Sequence, residues 1–127
     1  MHGFRCHGCR ARKGMYNQQS TSVLEHALQI AALAGPLVEA VKRKDRDLAS
    51  QVRRAISSVA LNLAEAQGNA GGNSRLRFET ALGSLYEAQA GVQLAVAWGY
   101  VTQAAANELL EAMNRLGGRV FGLLRCH

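Results

Sequence analysis

The sequence predicts an all-α protein built as one antiparallel up-and-down four-helix bundle. Three observations lead there. Apolar residues recur at steps of three and four in four separate segments, the spacing that keeps one stripe of a helix facing a core. Each segment is bounded by short punctuation rich in glycine, aspartate or threonine. No segment alternates apolar and polar residues with the period of two that a half-buried strand requires. Amphipathic helices joined by short turns place sequence neighbours antiparallel.

The first segment runs from about Thr21 to Lys44, with a stripe of Val23, Leu24, Ala27, Leu28, Ala31, Ala34, Leu37, Val38 and Val41. Gly35-Pro36 interrupts it. Proline removes a backbone donor and crowds the preceding turn, so a kink or short break is expected. Asp45 reads as the N-cap of the second segment, with Asp47 in its first turn. That segment extends from about Arg46 to Gln67 and carries Leu48, Val52, Ile56, Val59 and Leu63 on one face. Gly68-Asn69-Ala70-Gly71-Gly72 ends it. Asn73 or Ser74 is the expected cap of the third segment, which runs to about Trp98.

The third segment has two stripes, one bulky (Phe78, Leu82, Leu85, Val92, Val96) and one small (Ala81, Ser84, Ala88, Gly91, Ala95). Two such faces predict two partners, one inside the bundle and one beside it. Gly99-Tyr100-Val101 makes the last turn, and Thr102 caps a fourth segment reaching about Arg125. Its stripe is Ala105, Leu109, Ala112, Leu116, Val120 and Leu123.

A chain of 127 residues with 48% hydrophobic and 19% charged residues is one domain that folds around a core, and it excludes a disordered chain. Residues 1–20 read as a basic, flexible tail and 21–127 as the bundle domain. Fifteen basic against nine acidic residues give a formal charge of +6. Arg5, Arg10, Arg12 and Lys13 supply much of it before residue 15. The tail is consistent with a phosphate-binding arm, with a solubilising arm, or with a chain that starts at Met15. There is no export signal and no apolar run of membrane-spanning length, so a cytoplasmic location is expected, with Cys6, Cys9 and Cys126 as reduced thiols.

Constellations for chemistry are sparse. Cys6-His7-Gly8-Cys9 supplies half of a tetrahedral zinc site, but no second pair follows at the usual spacing, and free thiols are the preferred reading. The glycine-rich stretch before the third segment lacks the lysine of a phosphate-binding loop and reads as an interhelical turn. His26 has no neighbouring nucleophile or carboxylate in sequence and reads as a partly exposed structural histidine. Glu65 and Glu87 lie on different helices and raise the question of paired carboxylates, yet neither has the histidine three residues on that a di-metal bundle uses. No catalytic residue, cofactor or metal is therefore expected.

Basic residues cluster at Lys42, Arg43, Lys44 and Arg46, at Arg53 and Arg54, and at Arg75 and Arg77. A solvated charged face explains most of this. Repeated around an oligomer, the same charge becomes a surface that favours phosphate backbones. There is little aromatic interleaving along the chain, so base stacking is not indicated by sequence.

Leu48-Ala49-Ser50-Gln51-Val52-Arg53-Arg54-Ala55 followed by Ser58-Val59-Ala60-Leu61-Asn62-Leu63-Ala64-Glu65 resembles the signature of a bacterial four-helix bundle family. That family includes proteins encoded by intervening sequences of large-subunit ribosomal RNA genes and accessory variability proteins of diversity-generating retroelements. Arg77-Phe78, Ala81-Leu82-Gly83-Ser84-Leu85-Tyr86-Glu87 and Gly99-Tyr100-Val101 extend the likeness, which covers about Leu48 to Leu124. The resemblance implies a homopentamer and no enzyme activity. For the retroelement branch it also implies a surface that binds RNA or DNA and a reverse transcriptase partner. Asn62, Glu65, Ser84 and Glu87 match the family's polar positions and read as a structural hydrogen-bond set. Ala60 stands where the family commonly has proline and Ala66 where it has glycine, so the second helix is expected to be straighter here.

The reading of function is accordingly a non-catalytic oligomeric scaffold with weak, sequence-independent nucleic-acid binding through Arg53, Arg54, Arg75 and Arg77. The alternative is a protein-binding adaptor with no nucleic-acid role.

Overall fold

The computed structural model describes residues 21–68 and 72–126. They form four α-helices: α1 (Val23–Lys42), α2 (Arg46–Gly68), α3 (Gly72–Ala97) and α4 (Gln103–Arg125). α2 and α3 pack most extensively, α1 lies between α2 and α4, and α4 closes the ring against α3. This is the up-and-down bundle that the four stripes predict. Residues 1–20, and with them the tail, Cys6 and Cys9, lie outside the described residues.

Local chemistry sets the helix starts. Ser22 caps α1 by accepting from the Glu25 amide at 3.1 Å, while the Glu25 carboxylate accepts from the Ser22 amide at 2.9 Å. This reciprocal box is written in the sequence as Ser-x-x-Glu. Asp45 caps α2 through the Leu48 amide at 3.0 Å, and Thr102 caps α4 through the Ala105 amide at 3.1 Å. Gly99, at φ +79°, turns the chain out of α3 in the left-handed region where a side chain would be strained. The expected cap of α3 is displaced. The helix already begins at Gly72, and Ser74 instead donates to the Ala66 carbonyl of α2 at 3.1 Å.

Pro36 does not break α1, which stays helical through it. Its missing N–H would have bonded the Ala32 carbonyl, and Ala32, Gly35 and Pro36 are all exposed, so water can take that acceptor. The stripe of α1 is also shifted from expectation. Ile30 is buried, whereas Leu28 and Ala31 face solvent. In α4, Ala106 and Met113 are in the core while Ala105 is exposed and Leu123 only partly buried.

The two faces of α3 are the larger correction. Ala81, Ala88, Gly91 and Ala95 are as deeply buried as Leu85 and Val92. A Cβ built on Gly91 would lie 2.5 Å from Val52 Cγ2, so the small stripe is where α2 comes close. The bulky stripe reaches α4, with Leu85 Cδ2 3.5 Å from the position of a Cβ on Gly117. Both partners of α3 thus belong to the same chain, and the small stripe needs no neighbour beside the bundle.

Cys126, at the C-cap of α4, is disulfide-bonded, against the expectation of a reduced thiol. No helix among the described residues is long and apolar enough to cross a membrane.

Candidate nucleic-acid interface and polar seam

Polar side chains gather along the α2–α3 boundary. Ser58 and Ser84 join the two helices through their hydroxyls at 2.8 Å. One turn along α2, Asn62 Nδ2 donates to the Ser58 carbonyl at 2.8 Å and to its hydroxyl at 3.1 Å. Arg77 of α3 then donates through Nη1 to Asn62 Oδ1 at 3.3 Å and through Nε to Glu65 at 2.7 Å. A continuous seam runs Ser84, Ser58, Asn62, Arg77, Glu65.

Three members of the expected polar set therefore come together, joined by two residues it did not include, Ser58 and Arg77. Glu87 is not among them. It is exposed, about 15 Å along α3 from Arg77 at 1.5 Å per residue, and has no hydrogen-bond or ion-pair partner among the described residues. Glu65 and Glu87 consequently do not form a carboxylate pair.

Asn62→Ala removes a donor to α2 and an acceptor for Arg77 in a half-buried setting. The expected result is a loss of roughly 1 kcal/mol, seen as a lower denaturant midpoint at unchanged slope. A variant unfolding at the parent midpoint would show the seam to be dispensable.

The four arginines singled out in the sequence fall into two pairs. Arg75 makes an ion pair with Glu79 at 3.3 Å and donates to the Leu124 carbonyl at 3.0 Å. Arg77 is held by Glu65 and Asn62. Their charge is largely answered within the bundle. Arg53 and Arg54 stand exposed on α2 with no ion-pair partner among the described residues, as do Lys42, Arg43, Lys44 and Arg46.

His26 fastens the start of α1 to α4. Arg119 Nη1 lies 3.2 Å from His26 Nδ1, and Nη2 donates to the Thr21 carbonyl at 2.8 Å. A guanidinium only donates, so Nδ1 accepts and the imidazole proton sits on Nε2. Burial, then the charges of Arg119 and Arg115, lower the His26 pKa below its ordinary value. The folded state thus favours the neutral ring. Its contribution is fully present above about pH 6.5 and is lost as pH falls through the depressed folded value. Melting temperature should drop between pH 8 and pH 5, and His26→Gln should make that drop smaller; an identical drop would remove His26 from the account. At the opposite end of the bundle, loss of water and the hydrogen bond to Asp45 raise the Tyr100 pKa.

Among the described residues no polar or charged side chain is fully buried, and no three His, Cys, Asp or Glu side chains are grouped to hold a metal ion.

The architecture and seam define the class as a four-helix up-and-down bundle with an internally tied α2–α3 pair. Residues 19–122 match the family of 23S rRNA-intervening sequence proteins, and the chain belongs to that family. Its fold is similar to that of a protein with unknown function from the S23 ribosomal protein family of Bacteroides thetaiotaomicron. The TM-score is 0.75 and the identity 15%, with 81% of this chain and 98% of that one covered. No curated protein matches the chain.

Proposed function

We propose that this protein is a non-catalytic helical scaffold that assembles with copies of itself, as a pentamer by the resemblance noted above. Its surface binds nucleic acid through sequence-independent phosphate contacts. The observation that carries this reading is the pair Arg53 and Arg54, exposed and uncompensated on α2, while Arg75 and Arg77 are engaged by Glu79 and Glu65. The resemblance noted above, which implies an RNA- or DNA-binding surface for one branch of the family, makes nucleic acid the polyanion to test first.

Binding of this kind weakens steeply with salt, because each phosphate contact releases counterions. The test is the affinity for labelled RNA and DNA from 50 to 200 mM salt, compared with an Arg53→Ala/Arg54→Ala variant. A shallower salt slope in the variant supports the reading. Undetectable binding of the parent at the lowest salt defeats it. Light scattering tests the assembly, and a monomer contradicts it.

The alternative, a protein-binding adaptor, is favoured by one feature: Leu76, Tyr86 and Leu94 are exposed on the outer face of α3. A single stoichiometric protein retained after nuclease treatment, with no binding to nucleic acid, would select that reading. A reverse transcriptase is the partner that the retroelement resemblance names for it.

A further inference from the structure

The end of the bundle where α1 meets α2 and α3 meets α4 brings together features that the sequence keeps about fifty residues apart. Tyr100 Oη donates to Asp45 Oδ2 at 3.1 Å, which sets the α3–α4 turn against the α1–α2 turn. The first of these turns carries Trp98, the chain's single tryptophan, which remains 60% exposed. The Trp98 and Tyr100 rings meet edge to face at 75° with centroids 5.9 Å apart, so they do not cover each other by stacking. The second turn carries Lys42, Arg43, Lys44 and Arg46, all exposed.

From Lys42 to Arg54 there are six basic residues against two acidic ones, Asp45 and Asp47. Both oxygens of Asp45 are occupied, one by the Leu48 amide and the other by Tyr100. Helix stability accounts for Lys42, which sits in the last turn of α1 where a cation is favoured. It does not account for Arg46, the first residue of α2, where the helix dipole disfavours positive charge. Arg53 follows Arg46 by seven residues and lies on the same side of α2, continuing the cationic strip away from the turn.

We infer that this end of the bundle is a binding site for single-stranded nucleic acid, in which Trp98 stacks on a base while Arg43, Lys44 and Arg46 hold the flanking phosphates. The inference rests on the nucleic-acid reading above and locates it. A duplex keeps its base faces stacked inside, and only an unpaired strand offers a π-face to an exposed ring. A cationic strip beside such a ring tracks the backbone of that strand without regard to sequence.

Trp98 also reports on the site, since its fluorescence is the protein's entire tryptophan emission. The experiment titrates the full chain with a twelve-nucleotide oligo-dT, an equal-length duplex, and phosphatidylglycerol vesicles. It follows Trp98 emission in the parent and the anisotropy of labelled strands with the variants Trp98→Ala, Trp98→Phe and Arg43→Ala/Lys44→Ala. The expected result is quenching by oligo-dT and about tenfold weaker binding by Trp98→Ala, the scale of one lost base–aromatic stack. Trp98→Phe keeps most of the affinity, and the double variant lowers the salt slope by about 1.4, two single-strand phosphate contacts.

Oligo-dT binding with unchanged emission and no effect of Trp98→Ala overturns this site while leaving phosphate binding elsewhere on the surface intact. Equal quenching by the duplex overturns single-strand selectivity. An emission change with the vesicles alone reassigns the patch to lipid. No binding of either nucleic acid at low salt defeats both this inference and the proposed function.

Discussion

Gly91→Leu should destabilise the bundle by about 1–3 kcal/mol or more, the range for forcing extra carbons into a packed core. At Gly91 the first added carbon already lies 2.5 Å from Val52 Cγ2, with Leu48 Cδ1 3.8 Å away. Val52 is 3% exposed, and as a β-branched residue in a helix it has essentially one side-chain rotamer, so it cannot swing aside. Relief must come from separating α2 and α3, which would also stretch the 2.8 Å Ser58–Ser84 hydrogen bond. Gly91→Ala is the informative control, because its gain of about 1 kcal/mol in helix propensity opposes the clash. Adding Val52→Ala to Gly91→Ala vacates the contested space, and the pair should be more stable than the two single effects sum to. Denaturant midpoints for the parent, Gly91→Leu, both single alanine variants and the double variant decide it. A Gly91→Leu variant as stable as the parent would mean that the close approach is not what positions these helices.

How much of this was legible in advance depends on how local the determining chemistry is. All five stripe residues of α2 are buried, and Asp45 and Thr102 cap the helices they were expected to cap, because stripe and cap are set within a few residues. α1 is less legible. From Leu28 to Pro36 it contains no charged residue and one polar residue, Gln29, too little to mark the wet side and to favour Ile30 over Leu28 and Ala31. The small and bulky stripes of α3 were visible in sequence, but which neighbour each one meets is decided by topology.

The polar seam shows the same limit. Asn62, Glu65 and Ser84 could be named, but Arg77 closes on Asn62 across 15 residues and Ser58 on Ser84 across 26. For that reason Arg77 read as a free cation when it is a bundle partner. The terminal patch is the clearest instance. Aromatic and basic residues are not interleaved along the chain, and the Asp45–Tyr100 contact juxtaposes them only in the folded bundle.

The second large effect separates the core from the outer face. Leu116 of α4 is 0% exposed, and Leu116→Ala should cost about 2–5 kcal/mol, from lost transfer energy and the cavity left among side chains that relax only in part. Against a total stability of roughly 5–15 kcal/mol for a small domain, that is enough to shift the unfolding midpoint markedly. Tyr86 and Leu94, on the outer face of α3, are 54% and 42% exposed. In an isolated bundle Tyr86→Ala and Leu94→Ala should change stability by no more than about 0.5 kcal/mol, since neither belongs to the buried core, a cap or the seam. If copies of the chain associate through that face, the same two substitutions lower the assembled mass in light scattering while far-UV helicity is kept. Leu116→Ala, in contrast, lowers the unfolding midpoint in any assembly state. A mass unaffected by Tyr86→Ala and Leu94→Ala would place the self-association surface on another helix. A Leu116→Ala protein as stable as the parent would contradict the packed core on which the four-helix description depends.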